Sequence, residues 1–182
     1  MEADQKVIQV LDKKFKPFIR EDQIEKAVQK IAERMNVELK GKNPLFIVVL
    51  NGAFMFASDL FKKINIDCEL SFVKMSSYVG TQTTSTVREL IGLDRVLKGR
   101  TVVVVEDIID TGITMAHTIP LLQKLEAEEV KIATLLFKPE AFQKEYTIDY
   151  IGLEIPNDFI VGYGLDYDGQ ARNLPEIYKI IE

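Results

Sequence analysis

Apolar positions along this chain follow two alternating patterns. Over residues 22–38, Ile24, Ala27, Val28, Ile31 and Met35 recur at the spacing that lines one face of a helix. Asp22, with Glu25 three residues on, is expected to open that helix as a capping box, and Gly41 to stop it. Leu45 to Leu50 (LFIVVL) is instead apolar throughout and is bounded by Pro44 and Asn51-Gly52, the mark of a short strand covered on both faces. The alternation continues downstream. Residues 54–64 read as a helix and 68–78 as a strand. Residues 79–86 (VGTQTTST) have no apolar period and read as a polar loop, and 87–93 as a strand. TVVVV, 101–105, is the clearest buried strand. A helix is expected over 114–126, a strand over 130–137, and two further strands over 150–155 and 159–165. Buried strands alternating with helices predict an α/β fold with a twisted, mainly parallel sheet flanked by helices.

Composition narrows the class. The chain has 182 residues, which suits a single domain spanning 1–182. With 47% hydrophobic and 28% charged residues it has the make-up of a globular protein rather than a disordered one. The net charge of −5 and the absence of a Lys/Arg-rich stripe argue against a nucleic-acid surface. The lone cysteine, Cys68, cannot form an intramolecular disulfide and is expected to be a small buried residue of the strand CELSFVKM. The N-terminal stretch MEADQKVIQVLDKKF mixes acids and bases, so no signal peptide is expected. No apolar run approaches the ~18 residues that cross a membrane. A cytoplasmic protein is the expectation.

The chemistry concentrates in VVVVEDIIDTGITM, residues 102–115. A buried strand ends in Glu106-Asp107, a short loop follows, and a helix begins. Ligands of parallel α/β sheets sit at such strand ends. Thr111, Gly112 and Thr114 lie where the loop enters the helix. Main-chain N–H groups there lack helical partners and the helix dipole is positive. Gly112 lets the backbone close around an anion, and two hydroxyls add donors. The arrangement is a phosphate cradle but not a P-loop, because GxxxxGK[ST] is absent. Three carboxylates, Glu106, Asp107 and Asp110, stand just ahead of it. Acids beside a phosphate fit a ligand that also offers hydroxyls, carries magnesium, or develops positive charge. A ribose 5-phosphate with a leaving pyrophosphate does all three, since cleavage at its anomeric carbon gives an oxocarbenium-like centre.

EDIIDTGIT, Glu106 to Thr114, resembles the phosphoribosyl-pyrophosphate signature of the type I phosphoribosyltransferases, and most closely that of their hypoxanthine-guanine branch. Four further stretches from Leu45 onward carry the same resemblance. The turn Leu50-Asn51-Gly52-Ala53 matches the family's pyrophosphate turn, which binds through backbone N–H groups, often across a cis peptide; Asn51 stands where many members have a basic residue. Ser76-Ser77-Tyr78 and the loop after them match the segment that closes over the site. Lys138 matches the lysine that donates to the purine 6-oxo group. FIVGYGLDYDGQAR, 159–172, matches the hood.

The resemblance implies a core of about 22–150 and a hood from about 1–21 and 151–182. It implies that Asn51, Gly52, Ser77, Tyr78, Glu106, Asp107, Ile109, Asp110, Thr111, Gly112, Ile113, Thr114 and Arg172 bind phosphoribosyl pyrophosphate. Ile108, Lys138, Phe159, Ile160 and Asp166 would bind the purine. Glu106, Asp107 and Asp166 would hold Mg2+, and Asp110 would serve as general base or acid at purine N7. The partners implied are phosphoribosyl pyrophosphate, a 6-oxopurine such as hypoxanthine or guanine, and the nucleoside monophosphate product, in a homodimer or homotetramer.

His117, the only histidine, cannot build a zinc site alone and is expected on an exposed helix face. Tyr146, Tyr150 and Tyr178 are expected to be structural. Two alternatives stay open from the residues: a regulator on the same fold that senses the sugar diphosphate, and a transferase for xanthine or a pyrimidine.

Overall fold

The computed structural model describes residues 7–79 and 86–181; the side chains of 76–79 and 86–91 lie outside the description. The chain begins with β1 (Ile8–Val10) and β2 (Lys13–Ile19), then enters α1 (Glu21–Glu38). There follow β3 (Leu45–Leu50), α2 (Phe54–Phe61), β4 (Glu69–Val79) and β5 (Thr86–Ile91). Next come β6 (Thr101–Ile109), α3 (Ile113–Lys124), β7 (Glu129–Phe137) and β8 (Tyr150–Glu154). The last two strands are β9 (Ile160–Val161) and β10 (Ile177–Ile180).

Six strands form the main sheet in the order β5-β4-β3-β6-β7-β8. Neighbours from β4 to β8 run parallel, and β5 is antiparallel on the β4 edge. The TVVVV run shows why the centre is apolar on both faces. Val103 and Val105 pack with Phe46, Val48 and the helices α1 and α2. Val102 and Val104 point the other way, into a core shared with Ile47 and with Met115 and Leu122 of α3. The amphipathic face expected for α1, Ile24, Ala27, Val28, Ile31 and Met35, is the buried one, and Ala32 joins it.

A second, antiparallel sheet has the order β1-β2-β10-β9. It joins the two ends of the chain around a small core of Val10, Phe15 and Val161. Three of its strands were not foreseen. In β2, Lys13, Lys14, Lys16 and Pro17 obscure the apolar alternation, and Pro17 lies opposite Tyr178, beside a register irregularity that accommodates a missing N–H.

Several boundaries differ from expectation. The N-cap of α1 is Arg20, not Asp22: the Gln23 side chain accepts the Arg20 N–H at 3.0 Å, and Asp22 instead pairs with Lys26 at 3.0 Å one turn on. The helix expected over 54–64 ends at Phe61, and α3 ends at Lys124, two residues before Glu126 turns to φ +61°. Cys68 precedes β4 and is only partly buried, its thiol pushed up by burial. The strand expected over 159–165 shrinks to Ile160–Val161, because Gly162, Tyr163 and Gly164 all take positive φ and the chain reverses. β6 runs four residues further than its apolar stretch, to Ile109, so the acid pair lies within the strand. Among the described residues no helix is long and apolar enough to cross a membrane.

Candidate active site

Successive residues of a strand face opposite ways, so the extension of β6 starts its two acids on different faces, yet the Asp107 carboxylate stays close enough to raise that of Glu106. Glu106 lines a cleft with Asp110, Gly112 and Thr114 on the α3 side. Asp107 lies against Gly52 on the other. Glu106 is buried, and that burial, reinforced by the charge of Asp107, raises its carboxyl well above the usual range. Asp107 is pushed up to about 6 by loss of solvent, partly offset by the Ile108 N–H at 2.9 Å and by the Arg172 charge. Each acid resists carrying an unpaired negative charge, so the site favours a cation or hydroxyl donors in front of it.

The cradle follows at once. Gly112 adopts φ +78° and ψ 4° as the residue before α3, and no side-chain hydrogen bond caps that helix. A β-carbon at Gly112 would stand 2.6 Å from the Phe142 ring and 2.7 Å from Tyr146 Oη. The Asp110 carboxylate is exposed and accepts the N–H of Thr111, with the Thr111 hydroxyl at 3.3 Å. It is thus held at the cradle's mouth and faces solvent. Ile109 is buried beneath the loop, whereas Ile113 is 40% exposed at the helix start.

The turn after β3 holds the cis peptide Leu50–Asn51, and Asn51 is exposed. Gly52 is clamped from both sides. A β-carbon there would overlap the Asp107 carboxylate, and the Gly52 carbonyl packs so closely on Gly164 that a side chain at 164 would overlap it. Arg172 ties this contact to the rest of the segment: Nη1 donates to the Gly164 carbonyl at 2.7 Å and Nη2 pairs with Asp166 at 2.7 Å. The other oxygen of Asp166 accepts the Gly169 N–H at 2.7 Å. The close approach of Gly164 was not read from the sequence, where only its position in YGL marked it.

A third cluster stands at the end of β7. The Lys138 N–H donates to Ile109 O at 2.9 Å, which sets the lysine beside the end of β6. Its side chain is buried, with Nζ donating to the Asp158 carbonyl at 2.7 Å and to Asn157 Oδ1 at 3.4 Å. Ile108 is partly buried beside it in β6. Phe159, read as a strand residue, lies outside any strand and is 45% exposed, with Tyr167 edge-on at 5.9 Å and Phe15 at 6.2 Å. Ile160 is buried in β9.

The expected lid falls largely outside the description. Ser77 and Tyr78 are described by main chain only, paired in β4 with Arg88 and Val87, and residues 80–85 lie outside the described residues. His117 is on an exposed face of α3. Among the described residues no three acidic, histidine or cysteine side chains already form a metal cage. Glu106 and Asp107 nevertheless offer hard oxygen ligands whose raised pKa a divalent cation would relieve, and Mg2+ characteristically takes one or two carboxylates with phosphate oxygens and water. The residues present fit that ion, although Asp166 is engaged by Arg172.

Residues 19–168 match the family model of the phosphoribosyl transferase domain. The chain is 40% identical over 164 residues to the hypoxanthine-guanine phosphoribosyltransferase of Bacillus subtilis, covering 89% of this chain and 91% of that protein. It is also 40% identical over 163 residues to a bifunctional TilS/HprT protein of Listeria monocytogenes, of whose length it spans 25%. The crystal structure of a hypoxanthine phosphoribosyltransferase from Staphylococcus aureus superposes with a TM-score of 0.83 at 32% identity, covering 91% of this chain and 90% of that one. This chain belongs to the phosphoribosyl transferase family.

Proposed function

We propose that the protein transfers the 5-phosphoribosyl group from phosphoribosyl pyrophosphate to hypoxanthine, and also to guanine, as a purine-salvage enzyme of one domain. The observation that supports this best is the convergence of three unlike groups at the ends of β6 and β7: the uncapped cradle at Gly112, the acid pair Glu106 and Asp107, and the buried ammonium of Lys138. The named relatives support the same activity. A reducing compartment, the cytoplasm, suits the lone Cys68.

In this reading the loop from Ile109 to Thr114 grips the 5-phosphate, and Thr111 and Thr114 add hydroxyls. Asn51 and Gly52 bind the pyrophosphate through main-chain N–H groups, with Arg172 supplying charge. Glu106 and Asp107 hold the ribose hydroxyls. When bound, Mg2+ held by Glu106, Asp107 and Asp166 would neutralise the diphosphate beside these acids. Phe159 stacks on the purine with Ile108 beneath it, Lys138 donates to the 6-oxo group, and the main chain of Ile160 meets the base edge. Ser77 and Tyr78 belong to the segment that covers the site.

Purine N9 forms its bond to the anomeric carbon as the bond to pyrophosphate breaks, and the proton at N7 passes to Asp110. The carboxylates stabilise the positive charge that develops at the ribose. The product is the nucleoside monophosphate, and the working assembly is a homodimer or homotetramer. A panel of free bases incubated with phosphoribosyl pyrophosphate and magnesium, read by pyrophosphate release, tests the proposal. Turnover of hypoxanthine and guanine is expected; turnover of a pyrimidine in their place would overturn it.

A further inference from the structure

The cradle is held from behind by a segment to which the reaction scheme gives no role. Between β7 and β8 the chain passes beneath the loop that carries Gly112. The Gln143 N–H donates to Thr111 O at 3.3 Å, and Tyr146 Oη donates to Gly112 O at 2.9 Å. Phe142 stands edge-on to both Tyr146 and Phe137, at 5.2 and 5.3 Å, which fixes the Tyr146 ring against the core beneath α3.

A trans peptide points its C=O and its N–H in opposite directions. Anchoring Thr111 O therefore orients the Gly112 N–H, and anchoring Gly112 O orients the Ile113 N–H, both away from the anchors and toward the open side of the loop. The Gly112 carbonyl also accepts the Ala116 N–H at 3.0 Å, the first hydrogen bond of α3, so Tyr146 fills its second lone pair. A carbonyl polarised by two donors makes its own peptide N–H a stronger donor.

We propose that Tyr146 is a positioning residue for the 5-phosphate: its hydroxyl sets the Gly112–Ile113 peptide so that the Ile113 N–H faces the anion. Burial and the charges of Glu106 and Asp110 push the phenol up to about 12, so it is a donor at every pH at which the protein works. The inference rests on the reading of Ile109 to Thr114 as the phosphate cradle.

Calorimetric binding of inosine 5′-monophosphate and of inosine to the wild type and to Tyr146→Phe separates the two ideas. The variant keeps the ring and its packing and loses only the hydroxyl. If the cradle reading holds, the wild type binds the monophosphate far more tightly than the nucleoside; equal affinity would sink that reading. Given that preference, Tyr146→Phe is expected to weaken the monophosphate about 5- to 10-fold, the worth of one hydrogen bond, and to leave inosine unchanged. Unchanged monophosphate affinity, or an equal loss for both ligands, would overturn the role of Tyr146 and leave the cradle standing.

Discussion

Gly52 lies so close beneath the carboxylate of Asp107 that no side chain fits between them. The turn after β3 and the acid strand are therefore packed as one unit, and its far side is closed by Gly164. Gly52→Ala is expected to displace Asp107 and to raise the KM for phosphoribosyl pyrophosphate about 10-fold or more, the usual consequence of overpacking a tight contact. Steady-state kinetics with each substrate varied in turn would check it; an unaltered KM would show that the turn does not depend on this contact.

Asp110 is exposed, and among the described residues its carboxylate is held by neighbouring Thr111. Replacing it would remove the proposed base without disturbing the core. Asp110→Asn is expected to lower kcat by roughly 10²–10⁴ while the melting temperature stays within error. A variant with normal kcat would take proton transfer away from this residue.

Lys138 presents three donors and no acceptor, so it complements an oxo group at purine position 6 and not an amino group. Its buried ammonium already relies on the Asp158 carbonyl and on Asn157, and a mismatched base would leave its third donor unpaired. Wild-type kcat/KM for hypoxanthine is expected to exceed that for adenine by about 10⁴. Lys138→Ala should erode that ratio and leave binding of phosphoribosyl pyrophosphate intact. Competition between the two bases measures it directly, and comparable turnover of adenine by the wild type would remove Lys138 as the reader of position 6.

The raised pKa of Asp107 opposes folding of the free protein. Its carboxyl is near 3.8 in the unfolded chain and about 6 in the folded one. The folded state therefore holds its proton more tightly, and the cost of burial is fully present above about pH 6 and fades as pH falls toward 3.8. Asp107→Asn, which keeps an oxygen able to accept the Ile108 N–H, is expected to melt higher than the wild type at pH 7.5 in metal-free buffer, with the gain shrinking as the pH is lowered to 4. A constant difference across that range would mean that Asp107 does not titrate as inferred.

Most of the main sheet was legible because its strands are buried on both faces and write continuous apolar runs, as LFIVVL and TVVVV do. The fold class followed from the alternation of such runs with helices, and the family resemblance from EDIIDTGIT. What stayed hidden was set by contacts distant in sequence. Lysines and Pro17 masked β2, whose pairing with β10 decides its conformation. Tyr146 looked like any half-buried tyrosine until its hydroxyl met Gly112 O. The cap of α1 moved to Arg20 because Gln23, a side chain as capable as Glu25, lay at the spacing that closes on the Arg20 N–H.

The smaller sheet carries a consequence for how the molecule loosens. Ile177 of β10 pairs with Ile19 of β2, joining opposite ends of the chain; Ile19, Ile160 and Ile177 reach into the core beneath α1 and α2, and the other face of the sheet rests on Val10, Phe15 and Val161, whereas β6, α3 and β7 are consecutive. Closing so long a loop costs chain entropy that the consecutive β6, α3 and β7 avoid, which makes this sheet the weaker cooperative unit. Phe159, which packs on Phe15, and Ile160 of β9 depend on it, and the loop at Gly112 does not. Under thermal or denaturant stress the molecule should therefore forget how to recognise a base while still able to hold a phosphate.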